Sequence, residues 1–199
     1  MAGFVVAVAL VKPTHSTYRA VRALSLSRSA AAMRAAREPI GPGEESCWDY
    51  PRPPRLELAN RRVKVFANGK LVADSTGAYR ILETYHPPTY YIPRAHFDAQ
   101  YLEQERATGS SFCEFKGKAT YWSFVVDGKR FDRVAWSYEA PSDPQYKPIL
   151  GHLAVYAGRV DECQVDGEKV VPQEGGFYGG WINSWIKGPF KGAPGTNHW

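Results

Sequence analysis

Several classes are excluded by what the chain has little of. Three cysteines in 199 residues, with no CxxC pair among them, leave no disulfide framework and no four-cysteine zinc site. No apolar run approaches the roughly 18 residues a membrane-spanning helix requires, so no membrane partner is expected. The histidines form no HxH or HExxH pair and no GxxxxGK[ST] run is present, so neither a metal nor another cofactor is expected. Acids are nearly missing from residues 1–43, where Glu38 alone faces six Lys and Arg. The net charge of +5 sits wholly in that segment, and residues 44–199 are neutral. Affinity for nucleic acid grows with the phosphates a basic face neutralises, so the neutral body argues against that partner.

What is present divides the chain in two. Residues 1–43 are rich in Ala, Ser and Arg and poor in acids, the makeup of an organellar transit peptide, and Gly41-Pro42-Gly43 reads as the linker after it. Residues 17–37 can form a helix with Arg19, Arg22, Arg34 and Arg37 on one side; a disordered extension is the alternative. Import into an organelle is expected, a chloroplast ahead of a mitochondrion, with a cytoplasmic location as the alternative. A secretory signal fits poorly, because no positive charge precedes the apolar run Phe4–Val11.

Residues 44–199 read as a single all-β domain of antiparallel sheets. Asn68-Gly69, Asp127-Gly128 and Asp166-Gly167 each separate two apolar or alternating segments. Such dipeptides supply the positive φ angles of hairpin turns whose twist matches the strands. Ala78–Thr84 and His152–Tyr156 add strands, and Arg94–Glu105 is the one helix candidate of the body. Seven glycines and six aromatic residues between Gly175 and Trp199 predict an ordered wrap over the sheet.

The densest chemistry runs from Arg80 to Pro93. On a strand, Arg80, Leu82 and Thr84 share one face and Glu83 lies on the other. His86 follows on a turn stiffened by Pro87 and Pro88, where His86 and Glu83 can serve as an acid–base pair. The plainer alternative, that Glu83 pairs with an arginine and His86 bonds to backbone, is favoured over catalysis. Cys113 is a third catalytic candidate, though a cysteine flanked by Phe112 and Phe115 is more often a small core residue. Trp48, Trp122, Trp136 and Trp181 can wall a pocket or fill the core. Arg80, Glu83, His86, Tyr90, Trp122 and Trp136 are together the expected ligand-binding set.

These stretches carry a resemblance. Trp48-Asp49-Tyr50-Pro51-Arg52-Pro53-Pro54, Glu83 to Pro93, Cys113-Glu114-Phe115-Lys116-Gly117, Ala135-Trp136-Ser137-Tyr138 and Gly176-Phe177-Tyr178-Gly179-Gly180-Trp181 resemble, in order, the motifs of the domain-of-unknown-function 427 family. The departures are mild: Tyr85, Phe115 and Asn183 stand where serine, tryptophan and threonine are common. The resemblance spans about residues 45–199. It implies a compact antiparallel fold of β-tent type, many of whose members hold zinc between cysteine pairs that this chain lacks. The family's activity is not established, and the nucleotidyltransferase label sometimes attached to it finds no support in the residues. The expected function is therefore binding of a small molecule in an aromatic and polar pocket. An enzyme using His86 or Glu83, and a structural or partner-binding module, are the alternatives.

Overall fold

The computed structural model describes residues 37–105, 111–196 and 198–199. Residues 1–36, where most of the expected leader and its helix fall, lie outside them. Glu38–Trp199 forms one unit. Its strands are β1 (Glu45–Ser46), β2 (Arg55–Leu58), β3 (Val63–Ala67), β4 (Lys70–Ser75), β5 (Tyr79–Leu82), β6 (Thr89–Pro93), β7 (Leu102–Gln104), β8 (Phe112–Cys113), β9 (Gly117–Val126), β10 (Lys129–Tyr138), β11 (His152–Val155), β12 (Glu162–Val165), β13 (Glu168–Lys169), β14 (Val171–Pro172), β15 (Trp181–Ile182) and β16 (Ile186–Lys187). The named strands pair antiparallel, apart from the short β1–β16 contact.

The three expected hairpins are β3–β4, β9–β10 and β12–β13. At their turns Asn68, Asp127 and Asp166 have φ of 49°, 48° and 51°, and each is followed by a glycine with positive φ. Two consecutive left-handed residues give the type I′ geometry that strand twist favours. Arg94–Glu105 is not a helix. It folds as two 3-10 turns, Arg94–His96 and Ala99–Tyr101, followed by β7 against β9. Pairing of Leu102–Gln104 with Trp122–Phe124 satisfies backbone groups that a lone amphipathic turn would leave to water.

A large sheet in the order β2-β5-β6-β11-β10-β9-β7 and a smaller one in the order β13-β12-β3-β4 account for most of the strands. The main core lies between them: Tyr90, Ile92, Trp122, Phe124, Leu153 and Val155 from the large sheet meet Val63, Val65 and Cys163 from the small one. Because side chains alternate along a strand, Tyr91, Trp136, Tyr138 and Ala154 emerge on the opposite face. That second face is covered in part by Tyr146 and Ile149 of the 3-10 segment Pro144–Ile149. A bulge curls the sheet in β10, where Phe131 and Ala135 oppose Phe124 and Trp122. Arg133 takes φ 47° there, and its N–H donates to Ser123 Oγ at 2.8 Å.

The tail is an ordered wrap, as its glycines and aromatics predict. Trp181 is fully buried in the main core and donates its indole N–H to the Val155 carbonyl at 2.9 Å. A Cβ at Gly180 would lie 2.6 Å from Pro87 Cγ, and one at Gly179 would lie 2.1 Å from the Trp136 ring. Only glycine lets the backbone cross so close to the proline turn and the indole.

Candidate functional site

The part of the second face left uncovered encloses a cavity of about 400 Å³. Its floor is the sheet: Ile81 of β5, Thr89 and Tyr91 of β6, Tyr121 of β9, and Trp136 and Tyr138 of β10, with Tyr156 just past β11. One wall is Ser111–Lys116, and the other is formed by Gln173, Phe177, Tyr178 and Gly179 of the tail. The Trp136 and Tyr156 rings lie 4.4 Å apart, and Tyr91 stands edge-on to Trp136 at 6.3 Å. Burial raises the hydroxyls of Tyr91, Tyr138 and Tyr156 above the usual phenol range, Tyr156 to about 12, so at neutral pH all three stay protonated.

His86 is fixed by a turn that three segments hold. Its N–H donates to the Glu83 carbonyl at 2.9 Å, Tyr85 N–H donates to the Cys47 carbonyl at 3.0 Å, and Lys191 N–H donates to the Tyr85 carbonyl at 2.8 Å. Thr84 Oγ1 donates to the Tyr50 carbonyl at 2.6 Å. Tyr85 is thereby kept at φ 71°, a conformation that side-chain-bearing residues rarely adopt. His86 Nδ1 lies 2.9 Å from the Thr84 carbonyl oxygen. A carbonyl can only accept, so Nδ1 carries the proton and Nε2 keeps its lone pair. Burial lowers the imidazole below its usual 6.5, against the opposing pull of Glu83, and keeps the ring neutral at pH 7.

Beside His86, Arg52 Nη1 meets Glu83 Oε1 and Arg52 Nη2 meets Glu114 Oε1, both at 2.5 Å. The same guanidinium lies 5.3 Å from the Phe115 ring centroid. One cation thus joins both carboxylates of the cavity and ties Glu114 to the turn just past β5 that carries Glu83. Gln173 bridges the tail to itself, accepting from Gly180 N–H at 3.1 Å and donating to the Lys191 carbonyl at 2.7 Å.

Of the residues expected to form the site, Glu83, His86, Cys113 and Trp136 line the cavity. Arg80, Tyr90 and Trp122 do not. Arg80 and Tyr90 are cross-strand partners on the core-facing side. Arg80 is held by Glu45 at 2.9 Å and by Glu57 at 2.6 Å, with its side chain 13% exposed. Tyr90 packs on Trp181, and Trp122 donates its indole N–H to Ser137 Oγ at 2.9 Å inside the core. The pairing of Glu83 with an arginine and of His86 with backbone are both present, yet both residues still face the cavity. Cys113 lies beside Tyr138, whose hydroxyl its thiol meets, and among the described residues not beside an imidazole or carboxylate partner. Sequence reasoning missed Arg52, Tyr91, Lys116, Tyr138, Tyr156 and Tyr178. For Tyr91 and Tyr138 the signal was available, since they alternate with Tyr90 and share parity with Trp136 respectively.

Residues 55–166 match the model of a family described as a domain of unknown function, DUF427. The chain belongs to that family. The matched region supplies Glu83, His86, Cys113, Lys116, Trp136 and Tyr156, whereas Arg52 and the tail wall from Gln173 to Lys191 lie outside it. No curated protein matches the chain in sequence.

Proposed function

We propose that this DUF427 domain binds a small, flat organic molecule in the aromatic cavity, stacked among Trp136, Tyr156 and Tyr91, with a donor group on the ligand meeting His86 Nε2. The carrying observation is that a face of the large sheet rich in buried aromatic rings is left open around about 400 Å³. Cavities of roughly 300–1,000 Å³ with apolar walls and few polar groups are the usual form of small-molecule sites. The rigid turn supports this reading, because it presents a neutral imidazole with one free acceptor. Solid packing around Trp136 would have favoured a structural module, and Trp136 instead borders open space.

The test is calorimetric titration with neutral flat probes: 2-naphthamide, indole and quinoline. The proposal expects at least one to bind the native protein and to lose about tenfold or more in Trp136→Ala. No binding by any probe, or binding that Trp136→Ala leaves unchanged, would contradict it.

A second reading, acid–base chemistry at His86, is favoured by the same tautomer, whose unprotonated Nε2 is the form a general base needs. In that case a backbone carbonyl orients the ring, since Arg52 occupies Glu83. His86→Gln would then abolish turnover of a bound substrate while sparing its affinity. From the composition of residues 1–43 we propose that the protein is imported into an organelle. N-terminal sequencing of native material should begin between about Ala30 and Glu45, and an intact Met1 would contradict import.

A further inference from the structure

Among the charged side chains that line the cavity, Lys116 alone has neither an ion pair nor a hydrogen bond among the described residues. Arg52 holds both carboxylates, Glu83 and Glu114, and Lys191 Nζ donates to the Trp199 backbone oxygen at 2.5 Å. Lys116 is only 7% exposed, a rare condition for lysine. Its ammonium lies 5.8 Å from the Tyr138 ring centroid and 5.4 Å from that of Tyr146. Among the described residues it makes no hydrogen bond and no ion pair. The stem is buried while the ammonium keeps an opening, and two phenol faces replace only part of the hydration it loses there. Its three N–H donors are therefore open to a group that enters the cavity it lines.

We infer that Lys116 reads a negative charge on the bound molecule, so that the ligand class is a flat aromatic carboxylate or phosphate. The inference rests on the binding reading above and adds the ligand's charge to it. The sheet contributes ring contacts, His86 contributes an acceptor, and Lys116 contributes an ammonium whose donors are all uncommitted among the described residues. A cationic ligand would meet that ammonium instead of a carboxylate, because both acids of the cavity are already held by Arg52. Lysine acts as a point charge without a fork geometry, so it accepts either anion.

The experiment compares probes that share one ring system: 2-naphthoate, 2-naphthyl phosphate, 2-naphthamide and 2-naphthylmethylammonium, titrated into the native protein, Lys116→Met and Lys116→Arg. At least one anion should bind about tenfold or more tighter than the amide, and the cation weaker than the amide. Whichever anion binds tighter identifies the group that is read. Lys116→Met should remove the preference while leaving amide affinity within about twofold, and Lys116→Arg should retain it. Should Lys116→Met fail to fold, the Lys116→Arg result and the native probe series decide alone. Equal affinity of anion and amide in the native protein, or an anion preference that survives in Lys116→Met, would overturn the charge assignment and leave the cavity reading standing. No binding by any of the four would overturn both.

Discussion

The two faces of the large sheet carry nearly the same residues and do different work. On one, Tyr90, Trp122 and Phe124 are sealed against a second sheet. On the other, Tyr91, Trp136 and Tyr138 are as well buried from water but border an opening. Composition cannot separate a tryptophan of the first kind from one of the second. What separates them is whether a second layer reaches across, and here the 3-10 segment and the tail cover the second face only at its margins. Burial alone therefore does not mark a core residue in this fold.

Stability should expose the difference most strongly. Trp122→Ala should cost about 3–5 kcal/mol, since the side chain is surrounded and its removal leaves a void. Trp136→Ala enlarges a space that already exists and should cost roughly 1–3 kcal/mol. Urea unfolding of both variants checks the order, and equal losses would erase the distinction between the faces. Arg80→Ala sharpens the comparison from the core side. It removes the cation that Glu45 and Glu57 share, leaving Glu57 with Arg55 and Glu45 with the Tyr50 hydroxyl, so it should cost roughly 1–3 kcal/mol and leave probe binding unchanged. Weakened binding in that variant would return Arg80 to the site.

Protonation offers a smaller lever. In the unfolded chain His86 titrates near 6.5, and in the folded chain burial lowers it. The unfolded state therefore takes up the proton first, and stability present above about pH 6.5 is lost as the pH falls, by up to about 1.4 kcal/mol per unit. His152, also lowered by burial, adds a second contribution of the same sign. Subtracting the profile of His86→Gln from that of the native protein cancels His152 and the carboxylates, and the remaining slope should be positive below about pH 6.5. A flat difference would mean that His86 is solvated. The smallest stability effect belongs to His86→Ala, which removes a half-buried turn imidazole and should cost about 1 kcal/mol or less. Its effect should show in ligand affinity, as a loss of about tenfold.

Much of this contrast was legible in the chain. A two-residue turn at Asp127-Gly128 pairs Val126 with Lys129, which places even-numbered β9 residues opposite odd-numbered β10 residues. Trp122 and Trp136 therefore had to point to opposite faces. The bulge at Arg133 inserts two residues and preserves that parity. The same rule separates Arg80 from Glu83. Closeness along the chain, or a shared residue type, groups all four in one site and so misleads. The hairpins followed from Asn-Gly and Asp-Gly chemistry, which is local. The pairing of Lys116 with no acid could not be read, because it depends on Arg52 arriving from 31 residues before Glu83 to hold both carboxylates. The helix candidate Arg94–Glu105 yields only two short 3-10 turns for a similar reason: a distant strand, β9, decides the conformation of its end.

The face bearing Trp136, and not the face bearing Trp122, is the one proposed to receive the ligand. Fluorine NMR of protein carrying 5-fluorotryptophan at its six tryptophans, assigned by single substitution and titrated with 2-naphthoate, tests it most directly. The Trp136 resonance should shift while those of Trp122 and Trp181 stay in place. Movement of the Trp122 and Trp181 signals with Trp136 unmoved would contradict it.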